Sequence, residues 1–350
     1  MNIKPLSERD GKRVNNWYIL CLASEVAQKP IRRIMYDKPY VIFRDENGGL
    51  SCLEDRCLHR GTKLSEGQCK NGQIVCPYHG WTYDKHGHVT DIPSEGPDKN
   101  SRYKIARPHQ YEKNGVLWIC PSQEMPLDAI PTWTFPYAED PAWTKYFMIT
   151  DFDNEVTNLV ENFMDVAHTV YVHAGWFRNK AQIKVPMSIE TKEGAVLVTY
   201  NQENDKIGGI TNRLLNPKGV PMTHTDKFIY PNITRVDYSY NNEYGFVINS
   251  QITPISTLKS RVYTYIAYKL VSFNWIAKPF VKFYTRQVIE QDVAIMRNQG
   301  ENLKLDISPR FRSTEADTVH LAIEKLRDTG KEDQQAVNLI QSSKNKEFWI

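Results

Sequence analysis

Apolar and polar positions change places in short bursts through the first third of the chain. The runs WYILCL, PYVIFRD, LSCLED, QIVCPYH and GVLWIC, between residues 15 and 121, read as strands. They are rich in β-branched and aromatic residues and are bounded by turn signals. Asn47-Gly48-Gly49, Asn71-Gly72 and Lys85-His86-Gly87 supply the turns. A proline-rich stretch from Pro121 to Pro141 reads as an extended connector. Beyond it the period lengthens. Val160, Phe163, Met164, Ala167 and Tyr171 recur at helical spacing and predict a helix over 155–173. Strand patterns return at 195–200, 227–240, 245–252 and 261–270. A long helix is expected at about 276–304 and a shorter one at 315–329, closed by Gly330 as the residue after its C-cap. The chain shows no internal repeat and no low-complexity tract. The pattern predicts an α+β protein. Its all-β N-terminal domain covers 1–121, and a second domain over 122–350 is a sheet with helices packed on it.

Composition narrows the function classes. A chain of 350 residues can bury two sizeable cores, and its 41% hydrophobic and 24% charged residues are those of a soluble globular protein. A formal net charge of +3 is too small to argue for nucleic acid. No Lys/Arg run with interleaved aromatics offers a basic binding face. The first residues, MNIKPLSERDGKRVNNW, are polar and lack the apolar core of a secretory signal. The stretch IAYKLVSFNWIAKPFVKFY, 266–284, is the best membrane candidate, but three lysines and a proline interrupt it. An aromatic surface or core helix is expected there, since a span needs about 20 mostly apolar residues. There are six cysteines, at 21, 52, 57, 69, 76 and 120. Without an export signal a reducing, cytoplasmic setting is expected, and clustered Cys with His then argues for metal rather than disulfides.

That cluster is CLHRG followed by CPYHGW, which sets Cys57 and His59 against Cys76 and His79. Cys₂His₂ is also a structural zinc set. Zinc fingers, however, usually pair Cys with Cys and then His with His, whereas each short loop here carries one of each. This order suits a [2Fe–2S] cluster in which two thiolates hold one iron and two imidazoles the other. Pro77 stiffens the second loop, and Gly61 and Gly80 let backbone approach the sulfurs. The spacing and flanking text are the Rieske signature. Cys52 and Cys69 lie nearby but outside it and read as packing residues. Such a cluster moves single electrons and binds no substrate.

A second constellation lies in ENFMDVAHTVYVH, 161–173. On a helix Asp165 and His168 are one turn apart. His168 and His173, five apart, can share a metal only if the helix loosens or ends near 170. A third ligand is offered by the long helix. Val281, Tyr284, Val288 and Ile295 form an apolar stripe on which Asp292 falls, while Glu290 points away. A lone carboxylate on a buried stripe is costly unless paired or metal-bound. Two His and one carboxylate make the facial triad of non-haem Fe(II) oxygenases. The plain alternative is a salt-bridged Asp and two satisfied core histidines. For substrate contacts the sequence offers only Asn249, Gln251 and Arg213, polar residues near the expected pocket. Asn249 and Gln251 share one face of a strand.

Taken together, the Rieske motif, the E-N-F-x-D-x-x-H-x-x-x-x-H stretch and the late-helix aspartate resemble the Rieske non-haem iron oxygenases. The resemblance is to the terminal oxygenase component, nearest the α-subunit-only demethylases and monooxygenases. FRSTEADTVHLAIEKL resembles the closing helix of that group. The resemblance implies a helix-grip-type catalytic domain and a mononuclear Fe(II) held by His168, His173 and Asp292. It also implies a head-to-tail homotrimer, in which Asp165 bridges His168 to a Rieske histidine of the neighbouring subunit, expected to be His79. O₂ and a small cyclic substrate would be consumed in hydroxylation or oxidative demethylation. Larger tetrapyrrole- or steroid-like rings stay open, and a bare Rieske electron-transfer protein is the non-enzyme rival. No G-x-G-x-x-G occurs, so electrons must come from a separate NAD(P)H-dependent reductase or a ferredoxin.

Overall fold

The alternating runs of the N-terminal third fold into three small antiparallel sheets. The computed structural model describes residues 6–96, 101–124, 130–131, 133–174, 184–200, 218–241, 243–270, 274–306 and 311–349. The chain divides into two units, Met1–Thr132 and Trp133–Ile350, so the division falls later than residue 121. In the first unit, β1 (Tyr18–Leu22), β10 (Val116–Cys120) and β9 (His109–Lys113) form one sheet in that order. β2 (Ile31–Met35), β3 (Lys38–Arg44) and β4 (Leu50–Glu54) form the second. β5 (Gln68–Lys70), β6 (Gln73–Val75), β7 (Thr82–Tyr83) and β8 (Val89–Asp91) form the third. The QIVCPYH run stops being strand at Val75, where the loop of Cys76 begins.

β3 explains why two cores exist in so small a unit. Ile42 packs into one cluster with Leu20, Cys21 and Cys52. Val41 and Phe43, on its other face, pack into a second with Leu53, Ile74 and Tyr83. A strand buried on both faces reads as a continuous apolar run, as PYVIF does. The second cluster also contains Cys57 and Cys76. Cys52 is packing, and Cys69 donates its thiol to the Arg44 carbonyl at 3.3 Å.

The second unit is built on one antiparallel sheet of eight strands. In spatial order these are β11 (Thr144–Phe152), β17 (Lys259–Lys269), β16 (Tyr244–Ser256), β15 (Ile233–Tyr240), β14 (Met222–Ile229), β13 (Ala195–Tyr200), β12 (Lys184–Lys192) and β18 (Ser342–Trp349). Three of them, β11, β12 and β18, lie outside the predicted runs. The 227–240 stretch, expected as one strand, is a hairpin that turns through Tyr230-Pro231-Asn232, because Pro231 has no N–H to continue a ladder. The 266–284 stretch, expected as a helix, is strand to Lys269 and helix from Asn274.

The helices Val156–Met164, Thr169–Val172, Asn274–Leu305, Thr318–Glu332 and Gln334–Val337 accompany this sheet. Phe152, Leu159, Val160, Ile252, Val262, Ile323 and Leu326 fill the core they share. Gly330 does not close its helix. It lies inside Thr318–Glu332, where a Cβ would stand 2.4 Å from the Tyr230 ring, and Tyr230 Oη donates to its carbonyl at 3.0 Å. Room for that ring, not a left-handed backbone, demands glycine. Among the described residues no helix is long and apolar enough to cross a membrane.

Candidate metal centres

The two Cys-His loops of the first unit are the same turn made twice. In the first, Cys57 N–H donates to the Thr62 carbonyl at 2.8 Å and Gly61 N–H to the Cys57 carbonyl at 2.8 Å. In the second, Cys76 N–H donates to the Trp81 carbonyl at 2.8 Å and Gly80 N–H to the Cys76 carbonyl at 3.1 Å. Gly61 and Gly80 occupy the left-handed region, at φ +72° and +74°, as the turn requires. The register is identical, yet the histidine falls two residues after the first cysteine and three after the second. The turn therefore places both sulfurs alike while His59 and His79 approach from different steps.

Both cysteines are buried, His59 is half-buried and His79 is exposed. The His59 and His79 rings lie 4.5 Å apart at 63°, and His59 stacks on Trp81 at 5.0 Å and 6°. Burial, together with the neighbouring His79 and Arg60, lowers the His59 pKa, which favours the neutral imidazole that binds metal. Burial pushes the Cys76 thiol up, against the N–H groups of Tyr78 and His79 that pull it down. Tyr83 Oη lies 3.2 Å from Cys57 Sγ and accepts from Leu58 N–H at 3.0 Å, so its hydroxyl can donate to the sulfur once that is a thiolate. His59 Nδ1 is buried without a hydrogen-bond partner. Two thiols, two imidazoles and an orphaned ring nitrogen fit a Rieske cluster.

In the second unit the continuous helix expected over 155–173 is broken. It ends at Met164, and Asp165 leaves it with extended φ −93° and ψ 118°. The Asp165 carboxylate then accepts from Ala167 N–H at 2.8 Å and His168 N–H at 3.0 Å, closing the turn that leads into Thr169–Val172. A short acidic side chain that bonds nearby backbone competes with helix continuation in this way. The break, at 165 rather than near 170, swings His168 and His173 together, and their Nε2 atoms stand 3.3 Å apart. Asp292 Oδ1 lies 3.5 Å from His168 Nε2 and 3.3 Å from His173 Nε2.

The outer nitrogens of both rings are engaged. His168 Nδ1 donates to the Asp165 backbone carbonyl at 2.5 Å, and His173 Nδ1 to Gln291 Oε1 at 2.9 Å. Each acceptor can only accept, so each Nδ1 carries a proton and the two Nε2 atoms are turned toward each other and toward Asp292. Burial would raise the Asp292 pKa, but His168 and His173 more than offset it and hold the carboxyl below its usual range. Burial would lower His168, but the nearby carboxylates of Asp165 and Asp292 prevail and push it up to about 9. Asp292 Oδ1 is buried without a hydrogen-bond partner. A carboxylate oxygen and two imidazole nitrogens so placed fit a divalent metal.

Asp292 depends on where its helix is pinned. Asn154, fully buried after β11, donates to the Met296 carbonyl and to Gln299 Oε1, both at 2.8 Å. A Cβ on Gly300 would stand 2.0 Å from the Asp153 carbonyl. Of the predicted stripe, Ile295 is exposed, and the buried line runs instead through Val281, Thr285, Asp292, Val293 and Met296. Glu290 is exposed and pairs with Arg286 at 3.4 Å, on the far side as expected.

The three ligand candidates border a cavity of about 150 Å³ between the sheet and this helix. Val236, Ile248 and Ile266 line it from the sheet, and Tyr284, Val288 and Ile289 from the helix. Asp165 lines both this cavity and a second, outer cleft of about 410 Å³ that includes Glu161, Ala167 and His320. Asn249 and Gln251 are buried on the other face of β16 from Ile248 and Ser250, which face the cavity. Asn249 donates to the Thr134 carbonyl at 2.9 Å. The alternation that puts them on one face thus puts them on the one away from the cavity. Arg213 lies outside the described residues.

Comparison with known proteins agrees with this layout. Residues 16–111 match the Rieske [2Fe-2S] domain, and residues 152–329 match the vanillate O-demethylase oxygenase C-terminal domain. The chain belongs to the Rieske oxygenases of that family. It is 26% identical over 191 residues to a vanillate O-demethylase oxygenase subunit of Pseudomonas sp., covering 54% of this chain and 53% of that one. It is 32% identical over 161 residues to the dicamba O-demethylase oxygenase component of Stenotrophomonas maltophilia, covering 45% and 47%. With chlorophyllide a oxygenase of Chlamydomonas reinhardtii it shares 34% over 149 residues, 41% of this chain and 22% of that one. The matched part therefore spans about half or less of these relatives. Among solved structures, dicamba monooxygenase bound to dicamba superposes with a TM-score of 0.77 at 20% identity, covering 93% of this chain and 99% of that one. NdmA of Pseudomonas putida CBB5 with caffeine gives 0.74 at 20%, covering 94% of each. At these identities the likeness is one of fold.

Several residues at these centres escape a reading of the sequence. Gln291 aims His173, Trp81 and Tyr83 hold the Rieske loops, and His224 and Asp226 line the cavity. The last pair carried a usable signal. His224 and Asp226 alternate in MTHTDKF, so a strand begun at 222 rather than 227 puts both on one face.

Proposed function

We propose that this Rieske oxygenase is a terminal oxygenase component that hydroxylates or oxidatively demethylates a small cyclic substrate, with monooxygenation as its chemistry. One observation carries the reading. Two Nε2 atoms and a carboxylate oxygen converge within 3.5 Å at the wall of a largely apolar cavity, in a chain that also holds a Rieske domain. Cys57, His59, Cys76 and His79 would hold the [2Fe–2S] cluster, and His168, His173 and Asp292 the mononuclear Fe(II). When bound, the cluster supplies single electrons and the iron the activation of O₂ toward a C–H bond.

The chain's own residues do the positioning. Gln291 and the Asp165 carbonyl fix the two imidazoles with Nε2 inward. Val236, Ile248, Val288 and Ile289 hold the substrate ring by contact and keep water away. Asp165, shared by the cavity and the outer cleft, is placed to link His168 to a group that arrives from outside. His79 of a neighbouring copy in a head-to-tail homotrimer is the group proposed. Its carboxylate is committed to the turn at 165–168, and the Asp165 carbonyl, not the carboxylate, takes the His168 Nδ1 proton. The carboxylate Oδ2 stands 3.6 Å from that nitrogen, within reach of a small rotation.

Relatives whose names state vanillate and dicamba favour a single ring, and so does a cavity of about 150 Å³, the size that admits benzene. Chlorophyllide and 4β-methylsterol appear in the names of other relatives, and rings of that size would need this cavity to enlarge. Electrons would come from a separate NAD(P)H-dependent reductase or ferredoxin, and a cytoplasmic, water-soluble enzyme without nucleic-acid partners is proposed. The test is O₂ uptake by iron-loaded protein with a surrogate reductase, run across methoxy- and N-methyl-substituted rings. Substrate-dependent uptake with matching formaldehyde is expected. Uptake without any organic product across the whole panel would sink the reading.

A further inference from the structure

One buried amide holds both of the elements that carry the three metal-ligand candidates. Asn154 stands between β11 and the helix Val156–Met164 and is fully buried. An asparagine side chain has two N–H groups to donate and one oxygen with two lone pairs. Here all four are spent. Nδ2 donates to the Met296 carbonyl and to Gln299 Oε1, each at 2.8 Å. Oδ1 accepts from Glu155 N–H and from Asn158 Nδ2, also each at 2.8 Å. Chemistry fixes which way the amide points, because the Met296 carbonyl can only accept and the Glu155 N–H can only donate. The donor half therefore holds the helix of Asp292, one and two turns beyond that residue. The acceptor half holds the start of the helix that ends at Asp165, from which the chain leads to His168 and His173. The pivot is itself tied to the sheet, since Ser260 Oγ of β17 donates to the Asn154 carbonyl at 2.9 Å.

We propose that Asn154 is a positioning residue for the mononuclear metal: it sets the height of Asp292 against the two histidines, and with it the affinity and geometry of the site. This rests on the metal-centre reading above and deepens it. The apolar core that both helices share, with Val160, Met164, Val293 and Met296 in it, is held by a non-directional force that does not by itself fix register. An α-helix advances about 1.5 Å per residue, and a ligand set must be held to about 0.5 Å, so a slide of a fraction of one residue spoils it. Two directional bonds on each side remove that freedom. Gly300, where a Cβ would stand 2.0 Å from the Asp153 carbonyl, lets the helix come this close.

The experiment is anaerobic titration of protein stripped of the mononuclear metal, with Fe(II) read by calorimetry and Co(II) by its visible spectrum, which reports coordination. Asn154→Ala should bind Fe(II) about tenfold or more weakly than the wild type and give an altered Co(II) spectrum, with the Rieske spectrum unchanged. Gln299→Met and Asn158→Ala each remove one of the four bonds and should lose less, about two- to fivefold. Adding Gln299→Met to Asn154→Ala should cost little more, because both remove the same bond. The control is Val185→Ala, a truncation of a fully buried residue on β12. It should lower the thermal midpoint yet leave Fe(II) affinity within about twofold, a split that a merely structural role for Asn154 would not give. An Asn154→Ala protein that binds Fe(II) and Co(II) as the wild type does overturns the proposal, as does a Val185→Ala protein weakened equally. If Asn154→Ala does not fold, the Gln299→Met and Asn158→Ala affinities decide, and wild-type values in both overturn it. A wild type that takes up neither metal overturns the metal-centre reading and this role together, whereas wild-type uptake that the variants leave unaltered overturns this role alone.

Discussion

In the Rieske loops the two cysteines lie nineteen residues apart, and every atom of the ligand geometry comes from two adjacent turns. In the second unit His168 and Asp292 are 124 residues apart, and their 3.5 Å approach comes from where a helix breaks and where another is pinned. The first site is stated locally, by Cys, Gly and His at fixed offsets. The second is stated by the whole fold, through Asp165 ending one helix and Asn154 with Gly300 setting the height of the other. The difference also appears in exposure. The Rieske site turns its histidines outward, whereas Asp292 and His173 are buried. An exposed site suits the proposed protein partner, and a buried one the proposed small substrate.

If the second site depends on the fold, removing its distant member should empty it and leave the first untouched. Asp292→Ala should lose the mononuclear iron and all turnover, with the Rieske spectrum of the reduced protein unchanged. Glu290→Ala, on the exposed side of the same helix, should keep both metals and shift stability by no more than about 0.5 kcal/mol. Iron analysis beside electron paramagnetic resonance reads both, and retention of iron by Asp292→Ala would break the comparison.

A smaller change tests the link between the sites. Asp165→Asn keeps an acceptor for one of the two bonded N–H groups, so a loss of about 1 kcal/mol in stability is expected. Both metals should remain. Oxidation of the pre-reduced cluster in a single turnover should slow on the order of a hundredfold, since an outer partner of a metal ligand commonly weighs that much. A wild-type rate would place the route elsewhere.

The proton on His168 gives a third measure, in protein stripped of the mononuclear metal. Its folded pKa, about 9, is raised above the ordinary value near 6.5. The stability it contributes is therefore fully present below about pH 6.5 and is lost as pH rises through about 9. A metal must displace the same proton, so apparent affinity should climb about tenfold per pH unit below 9 and level off above it. Metal titration of the stripped protein at a series of pH values checks this, and a flat profile from pH 7 to 9 would contradict it.

The smallest expected effect lies at the local site. Tyr83→Phe removes the O–H that can donate to Cys57 Sγ and should lower the cluster's reduction potential, because a hydrogen bond to sulfur favours the reduced form. One bond of about 1 kcal/mol corresponds to on the order of 40 mV for one electron. Redox titration followed by absorbance reads it. An unchanged potential would mean the hydroxyl serves Leu58 N–H alone.

The same contrast explains what could be read from the residues. The paired Cys-His turns proposed to hold the Rieske cluster were legible because turn chemistry is local, and Gly61 and Gly80 announce it. His168, His173 and Asp292 were legible as residue types beside apolar stripes, and the structure brings them together. Their geometry was not, because the helical period of 155–173 continues through Asp165 although the chain does not. Strands β11, β12 and β18 escaped for a related reason. β18 reads SSKNKEFW, nearly all polar, and becomes strand only because β12 is there to pair with it. His224 and Asp226 were hidden by a hairpin mistaken for one strand. Asn249 and Gln251 show the converse, a correct alternation assigned to the wrong face.

One feature of the second unit bears on how such enzymes change their diet. The helix Asn274–Leu305 carries Asp292 and, one turn earlier, Val288 and Ile289, so the cavity's roof and a proposed metal ligand are parts of one rigid rod. A bulkier residue on that roof pushes on the rod and so on the ligand. The floor has no such tie, because Val236, Ile248 and Ile266 sit on strands that hold no ligand. Drift toward a new substrate is therefore cheapest from the floor, one strand at a time, while the roof stays under the discipline of the metal.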